Sequence, residues 1–91
     1  MNEQDIYRAI GRRVRQRRRL LDMTQSKVAR ACSVSFQQIQ KYEAGASGMP
    51  VAKLIALARV LQAPVSYFVD DLKLEPQRAE GDVHPFRINA A

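Results

Sequence analysis

The chain has 91 residues, which fits one small domain because independent domains usually run from about 50 to 250 residues. Hydrophobic residues make up 46% and charged residues 26% of it, a composition typical of a folded globular protein. No uncharged stretch approaches the roughly 20 apolar residues of a membrane helix, and the N-terminus lacks the apolar segment of a secretory signal. We therefore expect one soluble, cytoplasmic domain without a membrane span.

The residues that metal, redox or hydrolytic chemistry needs are scarce. One cysteine, Cys32, cannot form an intramolecular disulfide, and one histidine, His84, gives no metal-ligand spacing. Four scattered glycines form no phosphate-cradling loop, and no nucleophile has a candidate base near it. We expect no metal, no cofactor and no enzymatic activity.

Positive charge is concentrated in the first part of the chain. The net charge is +6, from fifteen Lys and Arg against nine Asp and Glu. Residues 1 to 70 hold twelve of the bases and five of the acids, which is +7, whereas residues 71 to 91 hold three and four, which is −1. An excess of this kind favours a polyanionic partner such as nucleic acid.

The first two predicted helices are separated by a short turn. Helix 1 is predicted from about Asn2 or Asp5 to Leu21, and helix 2 from about Gln25 to Cys32. Asp22 tolerates a left-handed backbone, and the hydroxyl of Thr24 can cap helix 2. The predicted apolar face of helix 1 consists of Ile6, Ile10, Val14, Leu20 and Leu21. Its predicted charged face consists of Arg8, Arg12, Arg15 and Arg19.

Helix 3 is predicted from about Phe36 to the glycine at Gly45, which ends helices because it adopts positive φ. The spacing Ser35-x-x-Gln38 predicts a capping box in which each side chain bonds the backbone amide of the other residue. One side of the helix is apolar, with Val34, Ile39 and Tyr42. The other side carries Phe36, Gln37, Gln40, Lys41 and Ala44 and has little reason to be buried.

Two further helices complete the predicted domain. Helix 4 is predicted over about Val51 to Gln62 with Leu54, Leu57, Ala58 and Leu61 as its core stripe, and helix 5 over Val65 to about Asp70. No segment alternates with period two for long enough to predict a sheet. We predict an all-α, five-helix domain over residues 1–70. Residues 71–91 form a loosely ordered tail or a docking segment.

Two short helices joined by a tight turn, the second with a polar outer face, have the form of a DNA-reading helix-turn-helix. Glutamine matches the donor and acceptor pattern of adenine in the major groove, and lysine reaches guanine O6 and N7. An aromatic edge can pack on the thymine methyl group. The outer face of helix 3 therefore has the chemistry of base recognition.

The segment Arg18 to Val69 resembles the Cro/lambda-repressor-like helix-turn-helix family of bacterial and phage DNA-binding proteins. The resemblance rests on a set of spaced residues: Met23-Thr24-Gln25, Val28-Ala29, Ser33-Val34-Ser35, Ile39, Tyr42-Glu43-x-Gly45, Leu54, Leu57-Ala58 and Leu61. It implies a compact five-helix domain whose third helix enters the major groove. Many family members have glycine where Asp22 and Ser33 stand, and a polar residue where Phe36 stands.

The resemblance also implies roles for single residues. Phe36, Gln37, Gln40 and Lys41 are expected to face the bases. Gln25 is expected to donate to a phosphate, and Ser35 to contact phosphate or cap helix 3. A family ion pair corresponds here to Arg18 and Glu43, and its role is to fix helix 3 on helix 1. Arg15 and Lys27 complete the predicted phosphate contacts, although the arginine cluster of helix 1 can equally be a solvated helix face.

The function implied is a homodimeric transcriptional regulator, most simply a repressor, that binds double-stranded DNA at a palindromic operator. Tyr67 is either a residue that closes the core or a dimer contact at the end formed by helices 4 and 5. The alternative is an antitoxin or adaptor of a toxin-antitoxin module, in which residues 71–91 bind a protein partner. A controller of a restriction-modification system would share the same DNA-binding chemistry.

Overall fold

In a computed structural model of the chain, residues 1–72 are described and contain five α-helices and no strand. The helices are α1 (Glu3–Leu20), α2 (Gln25–Ala31), α3 (Phe36–Ala44), α4 (Val51–Val60) and α5 (Val65–Val69). The predicted all-α, five-helix fold is confirmed, and the observed helices end one or two residues before the predicted limits. Of the predicted tail, all but the first two residues lie outside the described residues.

The first three helices begin at side-chain caps. Asn2 and Asp5 form a reciprocal capping box at α1, which the sequence analysis did not single out. Thr24 Oγ1 accepts from the backbone amide of Lys27 at α2, as predicted. Ser35 Oγ accepts from the backbone amide of Gln38 at α3, which is the first half of the predicted capping box.

The prediction of the second half of that capping box is wrong. Gln38 Nε2 donates to Ser47 Oγ at 3.0 Å in the loop after α3, instead of the side chain turning back to the Ser35 amide. The loop comes within reach of Gln38 only because α3 and α4 are folded against the same core, and sequence spacing holds no information about that. The bond ties the first turn of α3 to the loop that follows the helix.

Helices α1 to α4 all end in the same hydrogen-bond pattern, a Schellman motif with one left-handed residue. At α2, Ser33 N donates to Arg30 O and Val34 N donates to Ala29 O. The left-handed residues are Asp22, Ser33, Gly45 and Gln62, with φ of 56°, 58°, 70° and 57°. Only Gly45 is glycine, and a Cβ there would lie 2.5 Å from Arg8 Cα, whereas the other three residues are exposed. At the ends of α1, α2 and α4 the left-handed position is open to solvent, so a residue with a side chain fits there.

The core lies between α1, α2, α3 and α5, with α4 closing it. Its fully buried large side chains come from every helix or helix end: Val14, Val28, Ile39, Leu57, Leu61 and Phe68. Leu20, predicted on the apolar face of helix 1, is instead 68% exposed. Leu20 lies six positions after Val14, which rotates it by about 240° around the helix and away from the core.

Helices α1 and α3 meet at a glycine that the sequence analysis passed over. A Cβ on Gly11 would overlap the carbonyl oxygen of Tyr42 and lie 2.6 Å from that of Glu43. The two backbones can approach this closely only because no side chain stands between them. Gly11 thereby sets the position of α3 on α1, and with it the orientation of the outer face of α3.

Candidate nucleic-acid interface

The helix-turn-helix is formed by α2 and α3, joined by four residues. Val28 and Ala29 of α2 and Ile39 and Tyr42 of α3 are buried against each other in the common core. The turn between the helices needs the left-handed backbone of Ser33, whose own side chain is exposed. Both helices are therefore anchored by their inner faces, and the outer face of α3 is left free.

The four residues predicted to face the bases share the outer face of α3. Phe36 is 41% exposed, and Gln37, Gln40 and Lys41 are exposed as well. None of these side chains forms a hydrogen bond or ion pair with another group in residues 1–72. The face therefore offers free amide and ammonium groups beside an aromatic ring, all held on one rigid helix.

Arg18 and Glu43 join α1 to α3 through a bidentate ion pair. Arg18 Nε donates to Glu43 Oε2 at 2.6 Å, and Arg18 Nη2 donates to Glu43 Oε1 at 3.0 Å. The two side chains are only 10% and 3% exposed, so the pair is shielded from water. Arg18 Nη1 also donates to the Met23 carbonyl at 2.8 Å, which fixes the turn that leads into α2.

Gln25 belongs to the same network. Its Nε2 donates to Glu43 Oε1 at 3.0 Å, so this carboxylate oxygen accepts from both Gln25 and Arg18. Gln25 is half-buried at the first position of α2. An amide nitrogen carries two hydrogens, and the bond to Glu43 uses only one of them, so the second remains to donate to a ligand.

The other predicted phosphate contacts differ in what they do within the fold. Ser35 uses its oxygen to cap α3, which leaves its hydroxyl hydrogen free to donate. Arg15 and Lys27 are exposed, and their charged groups have no partner within residues 1–72. The N-terminal ends of α2 and α3 thus present one cation, Lys27, and two polar donors, while Arg15 supplies a second cation from α1.

Tyr67 lies on the surface at α5 and is 41% exposed. Its ring packs edge-on against Phe68 with a centroid distance of 5.0 Å, and the Arg17 guanidinium lies 5.5 Å from its centroid. Phe68 closes the core at this end, whereas Tyr67 covers it from outside.

Two arginines of α1 have structural roles that the sequence analysis missed. Arg17 donates to the carbonyl oxygens of Leu61 and Gln62, at 2.8 and 3.0 Å, and so binds α1 to the C-terminal end of α4. Arg13 donates to the carbonyl oxygen of Asp70. Nothing in the sequence separates these arginines from their neighbours, because their acceptors are backbone carbonyls brought near by folding.

Cys32 is buried in the core, and burial raises the pKa of its thiol, an effect that the nearby Lys53 ammonium partly opposes. Within residues 1–72 no three His, Cys, Asp or Glu side chains lie together as a metal site would require. No helix in this part of the chain has both the length and the apolar character of a membrane span.

Comparison with known proteins agrees with this geometry. Residues 14–68 match a protein family described as Helix-turn-helix, and the matched segment runs from α1 to α5. The chain belongs to the helix-turn-helix family. The resemblance to Cro and lambda-repressor-like proteins is thereby confirmed, and the chain is a DNA-binding protein of a family of transcriptional regulators.

Several bacterial transcriptional regulators are similar to the chain. An uncharacterized transcriptional regulator in the ATPase CF(0) region of Rhodospirillum rubrum is 44% identical over 72 residues, which cover 79% of this chain and 67% of the relative. Uncharacterized HTH-type transcriptional regulators of Sinorhizobium fredii and Rhizobium meliloti are 41% and 40% identical and are covered to 52% and 49%. The chain thus spans two thirds of the first relative and about half of the other two.

Proposed function

We propose that the protein is a sequence-specific transcriptional repressor that binds a palindromic operator as a homodimer. The observation that carries this proposal is the outer face of α3, where an aromatic ring, two amides and an ammonium group are exposed and unpaired while the opposite face is buried. The relatives are named as transcriptional regulators, which supports the same activity for this chain.

In the proposed complex, α3 lies in the major groove and its outer face reads the bases. Gln37 and Gln40 donate to and accept from adenine, and Lys41 reaches guanine. Phe36 packs on a thymine methyl group, a contact that its partial exposure allows. A bound dimer then blocks polymerase by occupying the operator.

Phosphate contacts hold α3 in register on the duplex. Gln25 donates the amide hydrogen that Glu43 leaves free, and Ser35 donates its hydroxyl hydrogen, while Arg15 and Lys27 supply charge. In this proposal the carboxylate of Glu43 positions Gln25, which contacts DNA, and also forms the buried ion pair with Arg18.

The second protomer of the proposed dimer docks at the end formed by α4 and α5. Tyr67 supports this because it is a large apolar ring that stays 41% exposed although its neighbour Phe68 is buried. A two-fold dimer matches a two-fold operator, since each protomer then reads one half-site.

Selection of bound duplexes from a random DNA pool at near-physiological salt tests the proposal, because such salt suppresses non-specific attraction to phosphates. The expected result is an inverted repeat whose half-sites lie about one helical turn apart. An enriched single half-site without its inverted copy would contradict the dimer. No enrichment above the random pool would overturn sequence-specific binding altogether.

A further inference from the structure

Only some of the arginines of α1 bond to other elements of the fold. Between Ile6 and Leu21 the chain has seven arginines and no acidic residue. Three of the arginines donate to carbonyl or carboxylate oxygens of other elements: Arg13, Arg17 and Arg18. The other four are exposed and are called the arginine face below: Arg8, Arg12, Arg15 and Arg19.

The arginine face is one continuous surface. Its residues follow one another at spacings of four, three and four positions, which places them within an arc of about 60° and over a length of about 16 Å. Arg8 forms an exposed ion pair with Asp5 at 3.2 Å. The remaining three guanidinium groups have no partner within residues 1–72.

This arrangement is unfavourable for the isolated helix. Like charges three or four positions apart repel each other, at about 0.2 to 0.5 kcal/mol per pair. No hydrogen bond to the rest of the described fold offsets the repulsion at Arg12, Arg15 or Arg19. A polyanion laid along α1 would turn the repulsion into attraction.

The composition of the face selects among polyanions. The exposed large apolar residues of the described chain are Leu20, Phe36, Val51, Ile55 and Tyr67, and none of them lies on the arginine face. Protein-protein interfaces have an apolar centre from which charged residues are depleted, whereas protein-DNA interfaces are polar and strongly positive. Guanidinium groups also match phosphate in a two-pronged geometry. The chemistry fits a nucleic-acid backbone better than an acidic protein.

We propose that the arginine face binds the phosphate backbone of double-stranded DNA beside the segment that α3 reads. Helix α3 packs on the side of α1 marked by Gly11 and Arg18, and the centre of the arginine face lies about 80° around the helix from that side. The arginine face therefore borders the α3 side without being covered by α3, which leaves it open to DNA that flanks the segment read by α3. The inference rests on the proposed function and adds a second, sequence-independent contact surface to it.

The salt dependence of binding tests this inference. Each phosphate contact contributes about 0.9 to the slope of log affinity against log salt. Binding is measured for two duplexes: the one selected from the random pool, and the same duplex lengthened by about 10 base pairs on each side. For the wild type, the lengthened duplex is expected to give a steeper slope. Arg12→Gln/Arg15→Gln removes two arginines from each protomer of the proposed dimer, so it is expected to lower the slope by about 3.6 on the lengthened duplex and by about half of that on the short duplex, where only Arg15 makes its contact.

A charge-matched control isolates the arginine face from net charge. Arg30→Gln/Arg59→Gln removes two exposed arginines from α2 and α4, and its slope on the lengthened duplex should exceed that of Arg12→Gln/Arg15→Gln by more than one. The melting temperature of Arg12→Gln/Arg15→Gln should equal or exceed that of the wild type, which shows that the variant is folded.

Three results would overturn the inference. Equal slopes for the two double variants would leave DNA without a contact on the arginine face and favour an acidic protein there. An equal loss on the two duplexes would place Arg12 as well as Arg15 within the operator segment instead of beside it. A lower melting temperature for Arg12→Gln/Arg15→Gln would give the arginines a role in the fold. Failure of the proposed function would look different, since the wild type would then not distinguish the selected duplex from a scrambled one.

Discussion

At the scale of single residues, the clearest test of base recognition is Gln37. Its side-chain amide is exposed on the outer face of α3 and free of partners within residues 1–72. Gln37→Ala should weaken operator binding by about 1 to 3 kcal/mol and change the binding to random DNA far less. Titrations of both duplexes measure this, with Gln16→Ala, an exposed glutamine of α1, as the control. Equal losses on operator and random DNA would remove Gln37 from the base-reading set.

Ser33 carries backbone strain that can be relieved. Its φ of 58° lies in the left-handed region, which costs a residue with a Cβ roughly 1 to 2 kcal/mol, while glycine adds roughly 0.5 to 1 kcal/mol of chain entropy to the unfolded state. Ser33→Gly should therefore raise the free energy of unfolding by about 0.5 to 1 kcal/mol.

Urea denaturation of Ser33→Gly and of Ser26→Gly makes the comparison. Ser26 is exposed within α2, where glycine should lower stability by up to about 1 kcal/mol. Destabilisation in both variants would show that the left-handed backbone at Ser33 is not strained.

At the scale of helices, the contact between α1 and α3 depends on Gly11. Gly11→Ala forces its new methyl group onto backbone carbonyls of α3, which cannot rotate away as a side chain can. We expect a loss of about 1 to 3 kcal/mol or more in the free energy of unfolding. Gly48→Ala is the control, because its Cβ would meet only the end of the Tyr7 side chain, at 3.1 Å. Equal melting temperatures for the two variants would mean that α1 and α3 separate without cost.

The Arg18 and Glu43 pair joins the same two helices by charge. Arg18→Ala leaves the carboxylate of Glu43, 3% exposed, without its ionic partner, and removal of one member of a buried pair usually costs about 3 to 5 kcal/mol. Arg15→Ala removes a solvated arginine and should change stability little. Thermal melts of both variants give the comparison, and similar melting temperatures would contradict the role of the pair. Arg18→Met/Glu43→Leu should recover much of the loss, since no charge is then left buried.

At the scale of the whole molecule, the thiol of Cys32 reports on global unfolding. Burial in the core raises its pKa, so the reactive thiolate is scarcer in the folded protein than in the unfolded one. Labelling by iodoacetamide should therefore be slow in buffer and fast in urea. Fast labelling under native conditions would show that the core opens locally at the end of α2.

The same pKa shift makes stability depend on alkaline pH. Below the pKa of the unfolded thiol, Cys32 is protonated in both states and stability is unaffected. Above it, the unfolded state ionises first, so the free energy of unfolding falls until the folded thiol ionises as well. Cys32→Ala should lack this part of the pH dependence in denaturation curves measured between pH 8 and 10, and an unchanged dependence in that variant would contradict it.

The sequence by itself determined the helices of this protein and the chemistry of the outer face of α3. Periodicity and cap residues predicted five helices, because a helix records its buried face and its ends within a few neighbouring positions. They also separated Ile39 and Tyr42, which are buried, from the four exposed residues of α3. The prediction that Leu20 belongs to the apolar face of helix 1 is wrong, because the residue lies outside the buried stripe of α1 and is exposed.

Only the tertiary structure decided which partners distant residues have. Seven arginines look alike in the sequence, and folding assigns three of them to acceptors on other elements and leaves four on one face. Gly11, the bond from Gln38 to Ser47, and the carboxylate that Gln25 shares with Arg18 have the same origin. These contacts join positions that meet only when helices pack, and local sequence patterns carry no record of such distances.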